Sequence, residues 1–153
     1  MYRFNVRWTF KFMRDKAAVP LMWELLTGES DDLPKEYPAE MLENTCDATT
    51  TPTLSEVDAY LISLYRQEKW FAALVVDIAV RTNQIDLLVK VIGTDSTGDA
   101  ERTAAAEGLI KLHAVSAVPE LEKLYNAGSS SSSNHSDLAT ALKGITGKEY
   151  SAQ

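Results

Sequence analysis

Apolar residues recur along this chain at the spacing of helices that bury one side. Between residues 54 and 66, Leu54, Val57, Leu61 and Leu64 follow one another at intervals of three, four and three, on one face of a 3.6-residue helix. Thr53 with Glu56 predicts a capping box at its start: the hydroxyl accepts from an orphan amide and the carboxylate reaches back. Over 69–82, Ala72, Val76 and Ala79 form a face that Phe71, Leu74, Val75 and Ile78 widen, so this helix is expected to be largely buried. Over 99–113 the face is Ala105, Leu109 and Leu112, with Asp99 as candidate N-cap. Over 117–127 it is Val118, Leu121 and Leu124, with Ser116 as cap and Pro119 in the first turn, where a missing amide costs nothing.

Gly28, Gly93, Gly128 and Gly147 each follow an apolar helical segment and are expected to end it in the left-handed conformation that glycine adopts cheaply. The first sixteen residues fit two patterns. Tyr2, Phe4, Val6, Trp8, Phe10 and Phe12 alternate with Arg3, Asn5, Arg7, Thr9 and Lys11, as in a strand. Tyr2, Val6, Phe10 and Met13 also share a helix face, with Arg3, Arg7, Lys11 and Arg14 as a stripe. The helix is preferred because of an internal repeat.

The shift that carries position 72 onto 105, and 105 onto 138, superimposes the helices. Ala72, Ala73, Val76 and Ala79 fall on Ala105, Ala106, Leu109 and Leu112, and these on Leu138, Ala139, Leu142 and Ile145. Ile85, Leu88 and Val91 fall on Val118, Leu121 and Leu124, and Asn83 falls on Ser116, a cap at the same point of each unit. At three times the period Ala18-Val19-Pro20 falls on Ala117-Val118-Pro119, and Val6, Phe10 and Met13 fall on Ala105, Leu109 and Leu112. The units are 2–28, 38–66, 69–93, 99–127 and a terminal half-unit from 136. The second is the weakest, because Met41 and Leu42 give its first helix little to pack. A two-helix unit cannot bury its apolar face alone, so neighbours must stack.

The segment Ala117-Val118-Pro119 with Leu121 and Leu124 resembles the second helix of a HEAT repeat, as does Ala18-Val19-Pro20-Leu21 with Leu25 and Leu26. Ala141-Leu142-Lys143-Gly144-Ile145-Thr146-Gly147 resembles the first helix of a following unit. The period is shorter than the roughly 40–47 residues usual for HEAT units and is similar to the short HEAT-like repeats of phycobilisome lyases. Ankyrin and tetratricopeptide signatures are missing. The resemblance covers residues 29–66 poorly. It implies an all-α, α-α superhelix: a short solenoid of stacked antiparallel helix pairs forming a single domain over 1–153, with a less regular acidic segment at 29–53.

Charge adds a polarity to this picture. The net charge is −7, yet residues 1–16 carry +4 and residues 29–58 carry −8, with nine acids against Lys35. Such an acidic stretch is usually a solvated face; it also suits docking of a basic protein, because a one-sign field steers association. Nucleic acid is disfavoured, since phosphate binding needs a basic footprint. The apolar run 71–76 is far short of the roughly 20 residues of a membrane span. A single cysteine, Cys46, cannot close an internal disulfide. A cytoplasmic protein without membrane contact is expected.

Candidates for chemistry are few. His113 falls in a turn, and His135, after the serine run at 129–133, is expected to be solvated. Neither belongs to a cluster with metal-ligand spacing. The repeated His-Glu pairs of the di-iron HEAT-like hydroxylases do not occur, and the basic concave surface of the HEAT-like alkyl-base glycosylases has no counterpart in so acidic a chain. Cys46 lacks a local base and reads as a structural thiol. No catalytic, metal or cofactor site is expected. Trp8, Trp23 and Trp70 read as core, while Tyr60 and Tyr65 lie off the apolar face of their helix and are expected to be partly exposed.

The leading expectation is a non-enzymatic protein-binding module or scaffold. Glu24, Lys90 and Lys123 are matched polar positions on second helices, with Asp58, Tyr65, Asp86 and Glu120 as neighbouring candidates. The alternatives are an immunity-type inhibitor that caps a basic partner through Asp31, Asp32 and Glu36, and a lyase-like enzyme accessory. Phe4, Trp8 and Phe12, if exposed, suit self-association.

Overall fold

The computed structural model describes residues 14–29, 34–68, 72–94, 97–128 and 132–150. Among these residues the chain is all-helical: eight α-helices, two 3-10 turns and no strand. It divides into two compact units, Met1–Phe71 and Ala72–Gln153. The helix or strand expected for residues 1–13 lies outside the described residues.

The first unit holds α1 (Val19–Thr27), α2 (Glu36–Thr45) and α3 (Leu54–Glu68). A 3-10 turn, Lys16–Ala18, leads into α1, and the Asp15 carboxylate accepts from the Ala17 N–H at 2.9 Å. α1 buries Val19, Met22 and Leu26, one helical stripe, against α2. Its last carbonyls are closed by the Lys35 ammonium, which donates to Leu25 O at 3.2 Å, Leu26 O at 3.0 Å and Gly28 O. A cation there also opposes the negative end of the helix dipole.

α2 corrects the expectation of a poorly packed helix. It touches both α1 and α3, and it buries Pro38, Ala39, Met41 and Leu42. A middle helix needs a wide apolar arc, and small residues supply it by letting two neighbours approach. The acidic segment 29–53 therefore contains a packed helix over Glu36–Thr45.

The capping box of α3 forms as expected. The Thr53 N–H donates to Glu56 Oε2 at 2.8 Å, and the Glu56 N–H donates to Thr53 Oγ1 at 3.4 Å. The buried face of α3 is rotated from the expected one: Val57, Asp58, Leu61, Ile62 and Tyr65 are buried, while Leu54 and Leu64 sit at the margin.

The second unit holds α4 (Ala72–Arg81), α5 (Ile85–Ile92), α6 (Asp99–Lys111), α7 (Val118–Asn126) and α8 (Ser132–Thr146). α4 packs on α5 and α6, α5 on α6, and α8 on both α6 and α7. Gly108 lets α6 come close to its neighbours, because a Cβ there would stand 2.7 Å from Val80 Cγ2. α4 is not buried all round: Val75, Val76, Ile78 and Ala79 face inward while Ala73 and Asp77 are exposed. The terminal helix begins at Ser132, earlier than the expected 136, so the serine run ends inside it.

Within the second unit buried positions recur from helix to helix, with one change of register. Leu88 and Ile92 of α5 are buried, and so are Leu121 and Tyr125, their counterparts on α7. Gly108 and Leu109 of α6 correspond at the same offset to Ala141 and Leu142 of α8. Between α4 and α6 the offset is shorter: Val75, Val76, Ile78 and Ala79 match Ala105, Ala106, Gly108 and Leu109. The 3-10 turn Val115–Ala117 before α7 makes up the difference.

Both turns are built alike. Asn83 and His113 take left-handed φ of 57° and 48°, and the next amides, Gln84 and Ala114, return to Ala79 O at 2.8 Å and Leu109 O at 3.1 Å. This is the Schellman closure. Asn83 is thus a helix end rather than a cap, and Ser116 lies within the 3-10 turn and makes no side-chain cap. Gly98, not Asp99, is the N-cap of α6. Of the four glycines, Gly128 and Gly147 are left-handed, while Gly28 is extended and Gly93 is right-handed.

The match of Ala18-Val19-Pro20 to Ala117-Val118-Pro119 also extends to the backbone. Ala18 and Ala117 have φ/ψ of −85°/−12° and −80°/−17°, and Val19 and Val118 have −54°/−47° and −53°/−48°. Each pair joins a 3-10 turn to a helix with proline in its first turn.

Candidate functional site

The residues expected to face a partner separate into reachable and unreachable ones. Glu24 on α1 and Glu36 in the first turn of α2 are exposed. Asp86 and Lys90 stand one turn apart on the exposed side of α5. Glu120 and Lys123 are exposed on α7 and pair at 3.3 Å. Lys90 and Lys123 occupy equivalent positions of the repeat, between buried residues that also correspond. Asp31, Asp32, Phe4, Trp8 and Phe12 lie outside the described residues.

Tyr65 and Asp58 depart from expectation. Tyr65 is only 1% exposed and Asp58 8%. The rotated face of α3 carries both inward, because residues 58, 62 and 65 share one stripe of a 3.6-residue helix. Tyr60 is half-buried, as expected, on the flank of the same helix. Trp23 is half-buried rather than core, and its ring meets Tyr60 edge to face with centroids 5.2 Å apart.

After α2 the chain forms a hydrogen-bonded loop at the surface. Asp47 pairs with the Lys16 ammonium, and its Oδ1 accepts from Thr49 Oγ1 at 2.6 Å and from the Thr49 N–H at 2.7 Å. These contacts, the ammonium first, hold its carboxyl well below the ordinary carboxylate value. The Glu56 carboxyl is likewise lowered, by the Thr53 N–H and hydroxyl. Cys46 is a buried free thiol. Burial pushes its pKa up and outweighs the Thr50 hydroxyl, while Glu43 and Asp47 add to the rise. Such a thiol stays protonated at neutral pH and is a poor nucleophile.

Two clusters in the second unit were not foreseen. Arg102 is 3% exposed. Its guanidinium donates to Asp99 and to Thr97 O, and its Nε lies 3.6 Å from Asp137 Oδ2 on α8. Thr103 Oγ1 donates to Asp137 at 3.1 Å. The sequence signal was available: residue 102 stands on the stripe of 105, 106 and 109, where an arginine needs a buried acid. His135, expected to be solvated, stacks on Tyr125 at 4.0 Å. Tyr150 meets Tyr125 edge-on at 5.6 Å and donates to Glu122 Oε1 at 2.8 Å, which pushes the Tyr150 pKa up.

Among the described residues no group of three or more His, Cys, Asp or Glu side chains could hold a metal ion, and no helix is long and apolar enough to cross a membrane. Comparison with known proteins finds no matching family model, no matching curated protein and no matching solved structure. Fold and surface define the chain by architecture: an all-helical protein of packed helices whose outer faces carry charge.

Proposed function

We propose that this chain is a non-enzymatic protein-binding module built from stacked, HEAT-like helix pairs. One observation carries this reading. α5 and α7 repeat the same layout, with Leu88 and Leu121 buried and Lys90 and Lys123 exposed. Repeated inner residues serve packing; repeated outer charges offer a row of contacts to an elongated partner. The test is retrieval of binding proteins from native lysate on wild-type and on Lys90→Glu/Lys123→Glu bait. A specific protein lost with the variant supports the module, and identical retrieval on both baits removes this row from the interface.

The acid excess of residues 29–58 favours a second reading: an inhibitor that caps a basic protein. Charge reversal at Asp31, Asp32 and Glu36 is then expected to abolish a tight, salt-sensitive complex. Unchanged affinity would sink this reading.

A further inference from the structure

Two rings in the first unit meet beside the buried stripes of their helices. α1 and α3 both pack on α2, yet Trp23 of α1 and Tyr60 of α3 meet directly at 5.2 Å, with ring planes at 65°. Each is on the flank of its helix. The buried stripe of α1 runs through Val19, Met22 and Leu26, and that of α3 through Val57, Leu61 and Tyr65. Trp23 and Tyr60 lie beside those stripes and are half-buried, part in contact and part in solvent. An edge-to-face pair leaves at least one π face of each ring unused by the other, and that face is the negative pole of the ring quadrupole.

The surrounding charge selects the ligand. Glu56 lies one turn before Tyr60 on the same flank of α3, exposed and held in place by Thr53 at 2.8 Å. Glu24 follows Trp23 and is exposed. The acidic stretch 29–58, at −8, belongs to the same unit, whose twelve acids against eight bases over 1–71 leave it at −4. An anionic ligand is repelled by this field, and a neutral apolar side chain gains nothing from it. A guanidinium gains from both features, because it is planar, weakly hydrated, always charged and stacks on indole and phenol faces.

We propose that Trp23 and Tyr60 form an anchor for an arginine side chain of a basic protein partner. The proposal rests on the binding-module reading and adds the chemistry of what is bound.

The test is a titration of the full ¹⁵N-labelled chain with an end-blocked Gly-Arg-Gly-Arg-Gly peptide, read at the tryptophan indole N–H signals, with Trp23 assigned from Trp23→Phe. The same peptide carrying citrulline for arginine is the neutral control. The expected result is a saturable shift of the Trp23 indole with the arginine peptide and none with citrulline. Affinity should fall about tenfold in Trp23→Leu and in Tyr60→Leu, and be retained in Tyr60→Phe. Leucine variants that bind as wild type overturn the proposal, as does a wild-type shift map that leaves Trp23 unmoved. The shift map does not depend on the leucine variants folding. Arginine-peptide binding centred elsewhere would overturn this anchor while leaving a binding module in place; failure of the module reading is decided separately, by the lysate retrieval.

Discussion

Arg102 on α6 and Asp137 on α8 form an ion pair at 3.6 Å across the interior of the second unit, with 4% of one side chain and 14% of the other exposed. Removing Asp137 takes one of two carboxylates from the buried guanidinium, which keeps Asp99 and Thr97 O. Asp137→Leu is therefore expected to lower stability by about 1.5 kcal/mol, the order of a hydrogen bond or contact to a charged group. The double variant Arg102→Leu/Asp137→Leu should lose less than the sum of the two single changes. Urea denaturation of the four proteins completes the cycle, and additive losses would show that the pair is not coupled.

Acid should weaken the first unit through Asp47 and Glu56. Both carboxyls have lowered pKa values in the folded chain. Each contributes stability that is fully present above the unfolded value of about 4 and is lost as pH falls through the lower folded value. Thermal melting between pH 6 and pH 2 should show Asp47→Asn less stable than wild type at neutral pH, with the difference closing in acid. A constant difference across the range would contradict this account.

Cys46 should be slow to react. Its thiol is buried and its pKa is raised, first of all by burial. Ellman's reagent at pH 8 is expected to modify the native chain on the order of tenfold or more slower than the urea-unfolded chain. Equal rates would mean that the thiol is accessible in the folded state.

His113 holds a left-handed φ of 48° at the end of α6, and its side chain is exposed. A non-glycine residue pays for that conformation with steric strain. His113→Gly is expected to raise the melting midpoint, by about 0.5–1 kcal/mol of stability, whereas His113→Val should lower it. Asn83, at the same place after α4, should gain less from glycine, because asparagine tolerates this region.

Most helices could be read from periodicity, as could the Thr53–Glu56 box and the likeness of Ala18-Val19-Pro20 to Ala117-Val118-Pro119. These depend on residues within a few positions of one another, and local hydrogen bonding and side-chain spacing decide them. The register between α4 and α6 could not be read this way: a 3-10 insertion at Val115–Ala117 and left-handed residues at Asn83 and His113 carry no strong composition signal.

Periodicity and composition were enough for the all-helical class, the concentration of acid in residues 29–58 and the exposed charges Glu24, Lys90 and Lys123. Contacts between helices were needed to learn that α2 packs on both neighbours, that α3 carries Asp58 and Tyr65 inward, that Arg102 reaches Asp137 and that Trp23 meets Tyr60. Periodicity says that a helix has an inner face to within about one residue of rotation, or roughly 100°. What touches that face, and which flanking residues are carried in or left out, depends on the shape of helices distant in sequence, and chain-local spacing holds no information about them.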